Sequence, residues 1–164
     1  SWRSNKAKSP KGIFEIVTIH LVDMLNFIFK IKKMYSPSLL NLSKIGNSYD
    51  SSHTKIELSN NAIANIYSTY KSSYTKKFFF LFDNGNVEFN DGIISINGPA
   101  KNFNKNDLYI KPKNIKRIKI NDEKDYLCSL EESVNFFLGY ALKKKIIPKN
   151  HFDMSLKANS FILS

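Results

Sequence analysis

The sequence has a single cysteine, Cys128. That excludes an internal disulfide framework and a metal site built from clustered cysteines. Cys128 is expected to be a small apolar filler. Arginine is nearly as scarce, with only Arg3 and Arg117. The three histidines, His20, His53 and His151, are scattered and form no ligand pattern. There is no Gly-rich phosphate loop, no Walker pattern, no His-x-x-x-His and no Gly-x-Ser-x-Gly. No catalytic residue, metal ligand or cofactor is therefore expected. The most apolar window, residues 13–31, is interrupted by Glu15, His20 and Asp23. A charge near the middle of a membrane span costs roughly 2.5–3.5 kcal/mol, so direct membrane insertion is not expected.

What is present is basic charge on a globular composition. The chain has 164 residues, enough for one domain or two small ones, and 42% of them are hydrophobic. Lys and Arg total 25 against 14 acids, a net charge of +11. Such a field attracts phosphate backbones or anionic surfaces and does not define a fold. Lys, Asn, Ile, Phe and Tyr are all abundant and all have A/T-rich codons, which indicates an A/T-rich genome. Residues 1–12 are rich in Ser and Lys and lack acids. They read as a targeting remnant, a tail that orders on RNA, or a disordered terminus, and a chain starting at Ser1 is expected to be processed or truncated.

Taken in order, 1–18 is a basic extension. An amphipathic helix is expected over about 19–33, with Leu21, Val22, Leu25, Ile28 and Phe29 as its buried stripe and Lys30, Lys32 and Lys33 in its last turn. Residues 36–52, with Pro37 and Gly46, read as a loop or insertion. Thr54–Leu58 alternates as a strand. Ser59 is an N-cap candidate, and Ile63, Ile66, Tyr67, Tyr70 and Tyr74 mark the core face of a second helix. Asn84-Gly85 and Asp91-Gly92 are hairpin signals, so 78–82, 86–90 and 93–97 form an antiparallel meander. Residues 98–107 read as a linker. Short strands follow at 108–110 and 115–120. Ser129-x-x-Glu132 is a capping box for a helix that Gly139 is expected to stop. A strand into Lys143–Lys145 and a terminal strand complete the chain.

The fold class is α+β, with two small α/β lobes. The first, 19–97, is helix-strand-helix-meander; the second, 108–164, is strand-helix-strand-strand. Lys116, Arg117 and Lys119 on one strand and Lys143, Lys144 and Lys145 at the next are candidate RNA-phosphate contacts, with Lys30 and Lys33 as further candidates.

The order of these pieces resembles the bacterial-type small-subunit ribosomal protein eight family. Asp23-Met24-Leu25-Asn26-Phe27-Ile28 looks like its opening helix. Ile115-Lys116-Arg117-Ile118 with Tyr126 looks like its Ile-x-Arg-Ile…Tyr strand. Leu138-Gly139-Tyr140-Ala141-Leu142 is similar to its Gly-Leu-Gly-Ile-Ala strand start, and Asn159-Ser160-Phe161-Ile162-Leu163 stands at its terminal Gly-Gly-Glu. The family's Ser-Thr-Ser-x-Gly loop is replaced around Lys143–Lys145, and its Gly-Gly by Asn159-Ser160. The resemblance implies a non-catalytic constituent of a mitochondrial ribosomal small subunit. Its partners are small-subunit rRNA and neighbouring ribosomal proteins, with no small-molecule substrate, and Asn159 and Ser160 join the RNA-binding set. A second resemblance runs through Val87 to Pro99, ending Ile-Ser-Ile-Asn-Gly-Pro, which is similar to a strand pair in large-subunit ribosomal protein six. An accessory subunit of an organellar membrane complex, using 13–31 against lipid or a partner helix, is the reading from another class.

Overall fold

The computed structural model describes residues 2–98, 103–142, 146 and 148–163. The chain is α+β, with three α-helices and two antiparallel sheets among the described residues. Its contacts group into two units, Ser1–Ser73 with Ile146–Ser164, and Tyr74–Lys145. The expected linker at 98–107 falls inside the second unit.

The first unit is organised on β3 (Ser51–Leu58), which pairs along its length with β4 (Ile63–Thr69). Its other edge carries β1 (Ile31–Met34) and then β2 (Ser38–Leu40). These two read as one edge strand broken before Pro37, whose nitrogen has no proton for the ladder. The break is held by the Tyr35 N–H donating to the Lys55 carbonyl (3.0 Å) and the Thr54 hydroxyl donating to the Tyr35 carbonyl (3.1 Å).

One face of this sheet is buried. It presents Ser52, Thr54, Ile56 and Leu58 from β3, and Ile66 and Ser68 from β4. A π-helical segment, Phe14–Thr18, runs straight into α1 (Ile19–Phe29). The segment contacts β3 and β4, and α1 packs against α3 (Lys149–Leu163). Ile13, Phe14, Val22, Leu25, Ile31, Ala158 and Ile162 complete the core. Each large side chain there contributes about 1.5–3 kcal/mol of apolar burial. The hydroxyls in the buried face have partners. The Thr18 hydroxyl donates to Ser68 (3.0 Å) and is hydrogen-bonded with the Ser52 hydroxyl (3.1 Å). Small residues at 52 and 68, paired across the strands, let the helix layer approach the sheet closely.

Three side chains tie α3 to the rest of this unit. Lys11 Nζ donates to the Ile162 carbonyl (2.6 Å), and Lys157 Nζ to the Ile31 carbonyl (3.1 Å). Asn26, 2% exposed, accepts from the Ile31 N–H (3.1 Å) and donates to the Met154 carbonyl (3.4 Å). Asp50 closes the 41–50 loop by accepting from Leu42 N (2.9 Å), Ser43 N (2.7 Å) and the Ser51 hydroxyl (2.9 Å).

The second unit is a meander of β5 (Lys77–Phe82), β6 (Gly85–Asn90), β7 (Ile93–Asn97) and β8 (Asn114–Lys119), paired in chain order. The helix α2 (Asp122–Leu142) follows two residues after β8.

Several expected elements are corrected. The helix expected over 19–33 ends at Phe29, so Lys32 and Lys33 lie on β1, and Ile28 is 53% exposed rather than core. The helix expected from Ser59 is a turn and then β4, because Ile63, Ile66 and Tyr67 alternate against β3; Tyr67 is 61% and Tyr74 88% exposed. Part of the expected loop is β2 and the start of β3. Residues 108–110 form only a Phe103–Tyr109 bridge. Gly139 does not stop α2, which continues to Leu142, because one glycine inside a helix costs only about 1 kcal/mol. The true start is capped by Asn121, whose Oδ1 accepts from Lys124 N (3.1 Å) while Asp125 accepts from Asn121 N (3.0 Å). The Ser129 hydroxyl instead bonds back to the Tyr126 carbonyl within the helix. Among the described residues no strand follows Gly139, and the expected terminal strand is α3. Cys128 is exposed, not a filler.

Candidate functional site

The outer face of the first sheet gathers polar and aromatic side chains. Strand alternation dictates this, since 52, 54, 56 and 58 point inward and 53, 55 and 57 must point out. The register then sets His53 opposite Tyr67, Lys55 opposite Asn65, and Glu57 opposite Ile63. The β1 edge adds Lys33 opposite Glu57, and Tyr35 beside Lys55.

Tyr35 is the centre of this face. Lys33 Nζ lies 4.6 Å and Lys55 Nζ 5.3 Å from the centroid of its ring. Such contacts are worth about 0.5–1 kcal/mol at exposed sites and hold both ammonium groups near one ring. Lys32 Nζ meets Glu57 Oε1 at 2.6 Å. That bond, with the Coulomb attraction of the Glu57 carboxylate, raises the Lys32 pKa above its ordinary value. Hydrogen bonding by Lys32 lowers that of Glu57, against a smaller desolvation effect, and the charges of Lys32, Lys33 and Lys55 lower it further. Glu57 is the one acid on this face and Lys32 engages it. Lys33 and Lys55 have no ion-pair partner among the described residues. The face is thus cationic, with a phenol and an imidazole beside the cations. It suits a ligand carrying a carboxylate or phosphate, with His53 and Tyr67 as hydrogen-bonding groups.

The expected RNA contacts are placed differently. Lys116, Arg117 and Lys119 are exposed on β8, but alternation puts Lys116 on the face opposite Arg117 and Lys119, so they do not form one cluster. Lys143, Lys144 and Lys145 lie outside the described residues. The Asn159 amide bonds the Ser155 carbonyl and the Ser160 hydroxyl the Lys157 carbonyl, so each side chain is turned onto its own helix. Lys30 sits at the end of α1 with φ +58°, and Lys33 belongs to the Tyr35 group. His53, Lys55, Tyr35 and Tyr67 were not identified from sequence. The usable signal was the alternation of Ser51–Leu58, which marks His53 and Lys55 as outward.

The described residues contain no group of three or more His, Cys, Asp or Glu placed to hold a metal. No described helix is long and apolar enough to cross a membrane. A shallow depression at the start of α2, lined by Glu123, Cys128 and Glu131, is formed by one helix and has no converging groups from elsewhere.

No family model and no curated protein matches the chain. Solved structures do. A protein of Desulfitobacterium hafniense described as an NADPH-dependent oxidoreductase matches with a TM-score of 0.71 at 12% identity, over 99% of this chain and 47% of its own. Levoglucosan dehydrogenase, in complex with NADH and levoglucosan, matches at 0.57 and 14% identity, over 75% of this chain and 35% of that one. An oxidoreductase from Agrobacterium radiobacter, in complex with NAD+, L-tartaric acid and magnesium, matches at 0.50 and 15% identity, over 57% and 31%. The chain thus spans less than half the length of each. These likenesses show the fold alone. They overturn the expectation of a non-catalytic ribosomal small-subunit constituent, and with it the large-subunit and membrane-complex alternatives, because the fold is one that oxidoreductases use.

Proposed function

We propose that this chain is the antiparallel-sheet half of a two-part oxidoreductase, and that the outer face around Tyr35, His53 and Tyr67 binds its substrate. The observation that supports this is the match of 99% of the chain to 47% of a described NADPH-dependent oxidoreductase. The chain's own residues do not fit a dinucleotide. Both sheets are antiparallel and no Gly-rich strand-turn-helix occurs, whereas the dinucleotide fold needs a parallel sheet and a phosphate-binding turn. The nucleotide therefore belongs to a second half, in the same polypeptide or a partner. This half contributes binding and orientation: Lys33 and Lys55 attract an acidic group, while His53 and Tyr67 hydrogen-bond the remainder.

The test is to isolate the native assembly that carries this sequence and assay NAD(P)-dependent oxidation of hydroxy acids and sugars. Activity is expected, and Tyr67→Phe and His53→Ala are each expected to lower kcat/KM at least tenfold. Saturable NADPH binding by residues 1–164 alone, or an assembly whose activity ignores both substitutions, overturns the proposal.

A further inference from the structure

The second unit has an exposed apolar stripe on α2 and a half-buried apolar face on its sheet. Leu127, Leu130, Val134, Phe137 and Leu138 recur at three- and four-residue spacing on one side of the helix. They stand in solvent, with Leu127 58%, Val134 56% and Phe137 62% exposed. The second is one face of the sheet. Register puts Phe89, Ile94 and Ile118 in one row across β6, β7 and β8, with Val87 and Ile96 in the next. The opposite face carries Glu88, Ser95 and Arg117 in one row.

The two surfaces match in size and charge. From Leu127 to Leu138 the stripe is about 17 Å long at ~1.5 Å per residue. Four strands spaced ~4.8 Å apart are about 15 Å across. The sheet face is rimmed by cations, Lys76 at 5.4 Å from the Phe89 ring and Lys116 opposite Ile96. The stripe is rimmed by Glu123, Lys124 and Glu131, a net negative set. Closure within one chain is opposed by the connection. Only Ile120 and Asn121 separate β8 from α2. Ile120 N is bonded to the Gly92 carbonyl (2.7 Å), and Asn121 is held in the helix cap.

We infer that α2 of one copy of this chain docks, through its apolar stripe, on the apolar sheet face of a second copy, reciprocally. The inference is independent of the substrate reading above. The opposite rim charges argue for helix on sheet rather than helix on helix, since two α2 stripes bring Glu123 and Glu131 against their own kind.

Sedimentation of the chain across micromolar concentrations is the test. A dimer is expected. Val134→Asp on the helix and Ile118→Asp on the edge strand should each raise the dimer Kd more than tenfold. An equimolar mixture of these two variants should associate more tightly than either alone, because one of the two reciprocal contacts is intact. Glu131→Lys and Lys116→Glu alter only exposed charges and are safe for folding. Each alone should weaken the dimer, and the two in one chain should restore it. A monomer at all concentrations, a dimer indifferent to Ile118→Asp, or no restoration by the paired charge reversal overturns the inference.

Discussion

Replacing Asn26 by Ala should cost the first unit about 2 kcal/mol. Asn26 is buried at the end of α1, where the chain turns into β1. Its Oδ1 is the acceptor for the Ile31 N–H at 3.1 Å, and Ile31 is 1% exposed. Removing the amide leaves that N–H buried and without an acceptor, at about 1–3 kcal/mol. The 3.4 Å bond to the Met154 carbonyl is long and adds little. Ala also leaves a small void at the contact between α1 and α3. Urea unfolding followed by the fluorescence of Trp2, the single tryptophan, reports on this unit. The midpoint should fall with the slope unchanged. Asn26→Asp keeps the acceptor for Ile31 but turns an oxygen toward the Met154 carbonyl, so its main effect should depend on pH. A loss below 0.5 kcal/mol for Asn26→Ala would show that the Ile31 amide finds another partner and refute the reasoning.

Burial opposes ionisation of Asp50, but hydrogen bonds from Ser43, Leu42 and Ser51 outweigh it and hold its pKa at about 2. Because the folded value is the lower one, its stabilisation is present above about pH 4 and is lost as pH falls toward 2. Asp50→Asn should lose about 2 kcal/mol at pH 7 and flatten the acid limb of the urea midpoint against pH. Lys30 holds φ +58° without being glycine, so Lys30→Gly should raise thermal stability by up to about 1 kcal/mol, seen as a higher midpoint in calorimetry. Gly139→Ala should stabilise α2 by about 1 kcal/mol and raise far-ultraviolet helicity, since nothing lies within 4 Å of the added methyl. Gly12→Ala should do the opposite and lower expression of folded protein, because its φ is +56° and a Cβ there collides with the Tyr49 carbonyl.

Local pattern was legible where local interactions decide. The Asn84-Gly85 and Asp91-Gly92 turns correctly placed the meander, and the amphipathic period correctly placed Val22 and Leu25 in the core. Pattern failed at 63–69, where the isoleucines and tyrosines satisfy both a helical and a strand period. Seven register pairs with β3 resolve that ambiguity, and they depend on residues 51–57 being a partner strand. It failed again at Gly139, where helix propensity on both sides outweighs one glycine at about 1 kcal/mol. The face around Tyr35 was hidden for the same reason as β4. Once Tyr67 is read as helical core, nothing connects it to His53, and Lys33 is assigned to a helix end rather than to Tyr35.

By itself the sequence determined the class of structure, the meander with its turns, the first helix's buried residues and the absence of a nucleotide-binding turn. These follow from local period, turn chemistry and composition. Only the tertiary structure decided that 63–69 is a strand, that the chain's end is a helix packed on α1, and that Tyr35, His53 and Tyr67 share a face. Strand pairing joins residues distant in the chain, and its energy depends on both partners at once. No window of sequence around either partner contains that information.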